Sequence, residues 1–300
     1  MDELIEVRHL RYFLAVAETE NFTRAAERLG ISQPSVSQQI AHLERTLGVA
    51  LFRRIGKRIQ LTQAGAVLRT GAAVVLRKLE NARDSVRDLA GLVTGHVDLG
   101  VIPALHGAWV PPLLERLARE RPGLTLGVHE HSSSWIETEL EAGRLDLGFG
   151  LMTRASPGIR YELLRSEPFS LLVARASPFA RRRSLDPAEL EGVRLAMLPA
   201  SFDMRRLADD IFRRARVRPR VVFEMNNIDP VLATVARAGT PTLLPAIVLR
   251  GREALGLRAI PLAGKARQIG FGLLWLAGGA ASAAALAVAA ALKATVRGNS

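Results

Sequence analysis

The spacing of apolar positions changes twice along this chain. Up to residue 47 it is helical. Leu10, Phe13, Leu14 and Ala17 make one stripe, and Ala25, Ala26 and Leu29 a second. Val36, Ile40, Leu43 and Leu47 follow at steps of four, three and four. From Leu68 the rhythm tightens to a strict heptad seam of Leu68, Ala72, Val75, Leu79, Ala82, Val86, Leu89 and Val93. Such a seam favours a partner helix, the alternative being a long amphipathic helix packed on its own domain. From His96 onward, extended apolar runs alternate with helical ones. Strands are expected at 97–102, 124–129 and 145–150, with helices at 109–119 and 132–142 between them. This βαβαβ order predicts a parallel sheet covered by helices. Residues 159–175 supply further strands and a crossing into a second lobe. That lobe holds strand 194–198, helix 203–215, strand 220–225, helix 229–238 and strands 242–244 and 257–261. A strand at 267–276 returns to the first lobe, and helix 280–294 follows.

Within the helical region, residues 21–48 read as two helices joined by a tight turn. Asn21 can cap the first and Gly30 can end it; Ser32 can cap the second, with Pro34 in its first turn. Opposite the apolar stripe of the second helix stand Gln33, Ser35, Ser37, Gln38, Gln39 and His42. Amides and hydroxyls both donate and accept, as base edges in the major groove require. The pattern fits a helix-turn-helix, and equally a small helical hairpin with a solvated glutamine-rich face. Residues 51–54 and 58–61 read as short extended pieces around a wing at Ile55-Gly56-Lys57. Arginines and lysines there can reach phosphates, or stand in solvent as an ordinary charged hairpin. We expect base readout by Gln33, Ser35, Ser37, Gln38 and His42, and backbone contacts by Thr23, Arg24, Arg53, Arg54 and Lys57.

An ordered series of motifs resembles the LysR-type transcriptional regulators. It runs through Arg11-Tyr12-Phe13-Leu14-Ala15-Val16-Ala17-Glu18, Phe22-Thr23-Arg24-Ala25-Ala26-Glu27-Arg28-Leu29 and Ser32-Gln33-Pro34-Ser35-Val36-Ser37. It continues through Leu43-Glu44, Leu47-Gly48, Leu51-Phe52-x-Arg54 and Leu61-Thr62-x-Ala64-Gly65. Asn21 stands where the family usually has Ser, and Gln38 and His42 where Arg is frequent. The resemblance implies an α/β protein with an N-terminal winged helix-turn-helix, a linker helix and a two-lobed, Rossmann-like sensor similar to periplasmic binding proteins. On this reading residues 1–65 bind DNA, 66–93 dimerise and 94–300 bind an effector. Lobe I takes 94–164 and 268–300, and lobe II takes 165–267. The resemblance further implies an inverted-repeat operator on double-stranded DNA, a homodimer or homotetramer, a small-molecule effector in the cleft, and contact with RNA polymerase.

In such sheets ligands bind outside the carboxyl ends of the strands, at helix N-termini. The stretches that qualify contain Ala104, Leu105 and His106; Ser132 and Ser133; Ser201 and Phe202; and Asn226 and Asn227. Serine hydroxyls and free N–H groups at a helix start suit a carboxylate or another small anion, though each serine or asparagine can equally be a plain cap. His129 and His131 lie two apart at a strand end. A metal would need a third ligand that the sequence does not identify, so they read as a cleft or surface pair, and no metal or cofactor is expected.

Composition narrows the classes. The net charge is +12, which suits a polyanionic partner. Residues 1–65 contribute little to it, with nine basic against seven acidic side chains. Much of the excess lies in runs such as Arg181-Arg182-Arg183, most simply solvated surface. The chain has no cysteine, which excludes disulfides, thiolate metal sites and cysteine nucleophiles. Residues 271–292 are apolar, but a strand, a Gly turn and an alanine-rich helix explain them better than a membrane span. No secretory signal is recognisable, so a cytoplasmic protein without membrane contact is expected. An α/β enzyme or solute-binding module with an accessory DNA-binding domain is the alternative. Against the enzyme, there is no Walker loop, no G-x-G-x-x-G and no G-x-S-x-G, and no nucleophile–base pair stands out.

Overall fold

The computed structural model describes residues 4–55, 58–88, 95–152, 156–264 and 268–298. The chain divides into two compact units, Met1–Ala90 with Ala142–Arg144, and Gly91–Glu141 with Leu145–Ser300.

The first unit opens with helices α1 (Val7–Thr19), α2 (Phe22–Leu29) and α3 (Gln33–Leu47). The Asn21 side chain accepts from the N–H groups of Thr23 (2.8 Å) and Arg24 (3.1 Å), and Gly30 ends α2 at φ +69°. That left-handed turn lets α3 start within two residues, capped by Ser32. Phe13, Val16, Ala25, Val36, Ile40 and Leu43 are fully or almost fully buried where the three helices meet. Strands β1 (Phe52–Ile55) and β2 (Arg58–Leu61) form an antiparallel hairpin, and the Phe52 ring sits 5.3 Å from that of Phe13. Helix α4 (Gln63–Asp88) follows. Its first turn passes so close to the hairpin that a Cβ on Gly65 would collide with the Leu51 carbonyl oxygen.

The heptad seam divides in two along α4. Ala72 is buried in the core that contains Leu10 and Phe13, and Leu68 and Leu76 pack against it. Val75, Leu79 and Ala82 instead lie exposed. The expectation of one continuous partner-facing stripe is therefore corrected. Its first turns are used inside the monomer, because α1 presents an apolar face to them. Leu89 and Val93 lie outside the described residues.

The second unit begins with β3 (Gly95–Val101), α5 (Pro103–Glu120), β4 (Leu124–Glu130), α6 (Ser133–Glu141) and β5 (Leu147–Leu151). Strand β3 pairs in parallel with both β4 and β5, as the βαβαβ pattern requires. Strand β6 (Ile159–Ala174) is a single 16-residue strand and itself forms the crossing between lobes. Then come β7 (Arg194–Met197), α7 (Asp203–Ala215), β8 (Arg220–Glu224), α8 (Ile228–Ala238), β9 (Thr242–Pro245), β10 (Leu257–Pro261), β11 (Gln268–Leu276) and α9 (Ala283–Arg297). The first half of β6 pairs with β11 and its second half with β9 and β10, all antiparallel. The sheet order is β10-β6-β11-β5-β3-β4 with β9 also on β6, while β7 and β8 pair in parallel beside it. Trp109, Phe149, Phe169 and Phe271 anchor the core. In the apolar stretch 271–292, Ala284, Ala285, Val288 and Leu292 of α9 are buried. Among the described residues, no helix is long and apolar enough to cross a membrane.

Helix α5 starts six residues earlier than the sequence pattern suggests. Pro103 occupies its first turn, where a missing N–H costs nothing, and Pro111 and Pro112 lie inside it.

Candidate functional site

Each unit presents one candidate surface. On α3, burial of Val36, Ile40 and Leu43 turns the opposite face outward. Gln33, Ser35 and Gln38 are exposed and Ser37 is half-buried. Gln33 Nε2 donates to Ser37 Oγ (2.8 Å), and the hydroxyls of Ser32 and Ser35 lie 2.8 Å apart. These local bonds pre-orient short polar groups, leaving further donor and acceptor capacity on each. His42 is placed differently from the others. It is half-buried, with its ring 5.0 Å from that of His9 on α1, so it sits at the margin of this face.

Thr23 and Arg24 are exposed in the first turn of α2. Arg53 and Arg54 are exposed on β1, and as neighbours on one strand they point to opposite faces of the hairpin. Lys57 lies outside the described residues. The hairpin is fixed to α3 by Glu44, whose Oε1 accepts from the N–H groups of Leu51 (2.7 Å) and Phe52 (3.1 Å). Thr62 Oγ1 donates to the Ala50 carbonyl (2.7 Å) from the far side. Neither role is visible in the linear pattern, because both bonds depend on the turn that follows α3.

In the second unit a cavity of about 360 Å³ opens where helices α5, α6, α7 and α8 begin. Of the residues expected there, Ala104, Ser132, Ser201, Phe202 and Asn226 line it. Leu105, His106, Ser133 and Asn227 do not line it. Leu105 is 1 % exposed in the core, because Pro103 to His106 form the first turn of α5 and not a loop. His106 Nδ1 lies 2.5 Å from Glu130 Oε2. Ser133 is buried, and Asn227 caps α8 by accepting from the Asp229 N–H (2.9 Å).

Two further wall residues are ones the sequence does not point to, Glu130 and Asp203, while His131 lines the cavity as the cleft reading of the His129–His131 pair allowed. The His131 ring stacks on Trp135 at 3.8 Å. Asp203 Oδ2 accepts from the Ser133 N–H (3.1 Å), and Oδ1 is paired with Arg206. So the first residue of α7 reaches the first residue of α6 across the cavity. An acidic residue directly after Phe202 is the available signal, but the sequence does not show that α6 lies opposite. The rest of the wall is apolar: Ile102, Pro103, Leu151, Leu198, Met204 and Ile228. One turn into α6, burial pushes the Glu137 carboxyl above its ordinary value. Its bond from Tyr161 Oη (2.8 Å) opposes that, while the charges of Asp203 and Glu141 add to it.

His129 belongs to neither surface. Its Nε2 lies 2.8 Å from Asp98 Oδ1, and His96 Nε2 lies 3.3 Å from the same oxygen. Desolvation would raise the Asp98 pKa, but the two imidazoles outweigh it and hold the carboxyl below its ordinary value.

Known proteins share both the motif order and the fold. Residues 7–66 match the model described as bacterial regulatory helix-turn-helix protein, lysR family, and residues 90–297 match the LysR substrate binding domain. The HTH-type transcriptional regulator TfdS of Cupriavidus pinatubonensis is 34 % identical over 91 % of this chain and 92 % of its own length. A cysteine variant of OxyR from Corynebacterium glutamicum superposes with a TM-score of 0.64 at 26 % identity, over 99 % of this chain and 94 % of that one. Full-length CbnR complexed with its target DNA shares the fold with a TM-score of 0.70 at 24 % identity, over 99 % and 100 % of the two chains.

Proposed function

The chain belongs to the LysR family and is a DNA-binding transcription regulator with an effector-binding domain, and from that premise we propose how its residues divide the work. Gln33, Ser35, Ser37 and Gln38 read base edges in the major groove, with His42 at the edge of the footprint. Thr23, Arg24, Arg53, Arg54 and Lys57 hold phosphates. The observation that carries this reading is the outward face of α3, a run of amides and hydroxyls with little charge, framed by arginines on α2 and β1. The exposed Val75, Leu79 and Ala82 of α4 pack against a second copy, which brings two α3 helices onto one duplex. Residues 1–65, 66–93 and 94–300 then serve binding, pairing and sensing, and the assembly meets RNA polymerase at the promoter.

The cavity at the four helix starts takes the small-molecule effector. It switches the protein only by binding one arrangement better than another, with a coupling of about 1–3 kcal/mol for switches of this kind. TfdS and OxyR do not transfer their own signals. In particular the chain has no cysteine, so its response involves no thiol of its own.

The test is a titration of labelled duplexes bearing inverted-repeat and scrambled sites. Gln33→Ala is expected to erase much of the preference between them, each bidentate base contact contributing about 1–3 kcal/mol of discrimination. Arg54→Ala should weaken both alike. Unchanged discrimination in Gln33→Ala with Gln38→Ala would remove α3 from base readout.

A further inference from the structure

The cavity's own chemistry says what kind of molecule it takes. Two carboxylates, Glu130 and Asp203, stand on its wall, and among the described residues no Lys or Arg does. The helix starts that could have held an anion are partly loaded by the chain. Helix α5 begins with Pro103, which has no N–H to offer. At α6, Ser132 Oγ accepts from the Trp135 N–H (3.4 Å) and Asp203 Oδ2 from the Ser133 N–H (3.1 Å). At α8, Asn227 accepts from the Asp229 N–H, and the Asp229 carboxylate is paired with Arg252. Helix α7 carries Asp203 itself in its first turn. A carboxylate entering at the start of α6 would have to displace Asp203 from Ser133, and would meet Glu130 as a like charge.

From this wall we infer that the effector is a small molecule with an amine or another cationic hydrogen-bond donor on an apolar body. The ammonium is held between Glu130 and Asp203, and the body lies against Ile102, Leu151, Phe202 and Met204. An ionised carboxylate has about four acceptor positions, so Asp203 can keep Ser133 and Arg206 and still receive a donor. Glu130 has one oxygen engaged by His106 and a second to give. The volume of about 360 Å³ suits a ligand with a single ring. Three of the N–H groups on which a carboxylate effector was expected, those of Ser133, Trp135 and Asp229, are thus taken by the chain's own acceptors.

The inference rests on the reading of this cavity as the effector site, and the experiment separates the two. Thermal unfolding of the full chain is followed with matched pairs at millimolar concentration: benzylamine against benzoate, and phenethylamine against phenylacetate. The amines are expected to raise Tm and the acids to leave it unchanged. Asp203→Asn and Glu130→Gln should each weaken amine binding about tenfold or more, as loss of a hydrogen bond to a charged group does. Asp203→Asn keeps an acceptor for the Ser133 N–H, and its unliganded Tm checks that the fold is retained. Ser201→Trp fills the cavity from an exposed position and should abolish the response. Acids stabilising as well as or better than amines overturn the charge assignment. If that acid response also disappears in Ser201→Trp, the cavity reading stands without it. Amine binding that persists in Ser201→Trp overturns the cavity reading itself. A response to neither class overturns the assignment.

Discussion

Glu44 holds the wing to the recognition helix, and removing its carboxylate should loosen both. In the folded chain one oxygen accepts two backbone N–H groups, from Leu51 at 2.7 Å and Phe52 at 3.1 Å. Leu51 is 1 % exposed, so its N–H has little access to water once the acceptor is gone. A hydrogen bond to a charged group contributes about 1.5–3 kcal/mol, and two bonds sharing one oxygen contribute less than twice that. We expect Glu44→Ala to destabilise the first unit by about 2–3 kcal/mol. For a unit of this size that is a fall of roughly 10–20 °C in its Tm. Glu44→Gln keeps an acceptor and should lose about half as much. The two units can be followed separately because Trp109, Trp135 and Trp275 all lie in the second. Far-UV circular dichroism should show an early helical transition in Glu44→Ala while tryptophan fluorescence melts as in the wild type. A first transition within about 0.5 kcal/mol of wild type would refute the reasoning, since that is the range of an inert surface substitution.

Other residues give equally direct readings. Gly65→Ala forces a Cβ against the Leu51 carbonyl, and backbone cannot step aside as a side chain can. It should cost about 1–3 kcal/mol or more in the same circular dichroism melt. Leu79→Glu puts a charge on the exposed stripe of α4 and should shift the protein toward monomer in light scattering. Replacing Arg53 and Arg54 by Ala should reduce the slope of log affinity against log salt by about 0.9 for each phosphate no longer neutralised. The Asp98 carboxyl has a folded pKa below its ordinary value, so its contribution is complete above that value and disappears as pH falls through the folded one. The Tm gap between wild type and Asp98→Asn should therefore be present near neutral pH and close as pH drops below about 4.

The recognition helix is legible in the sequence because caps, turn and apolar stripe are all local. Asn21, Gly30, Ser32 and Pro34 do in the structure what their positions in the chain suggest. Strand order in the first lobe is legible for a similar reason, since βαβ connections admit few topologies. The heptad seam is legible only in part. A repeat shows which positions are apolar, not which partner covers them, and α1 takes Leu68 and Ala72 before any second chain can. Pro103 conceals the first turn of α5, because a proline reads as a break until its place at a helix start is known. That hides the burial of Leu105. Asp203 and Glu130 are hidden for a topological reason. They come from helix and strand ends more than seventy residues apart, and only the closed fold sets them on one wall. Glu44 is likewise a plain surface acid in the sequence and an anchor in the fold.

The central claim is that the polar face of α3, presented twice, reads a symmetric site. Selection of bound duplexes from a random pool by the full-length protein, with unrelated duplex in excess, tests it most directly. The account predicts enrichment of an inverted repeat whose half-sites lie about one helical turn apart or a multiple of it. That enrichment should be lost in the Gln33→Ala, Gln38→Ala double variant. A recovered pool without symmetry, or one unchanged by the double variant, would contradict it.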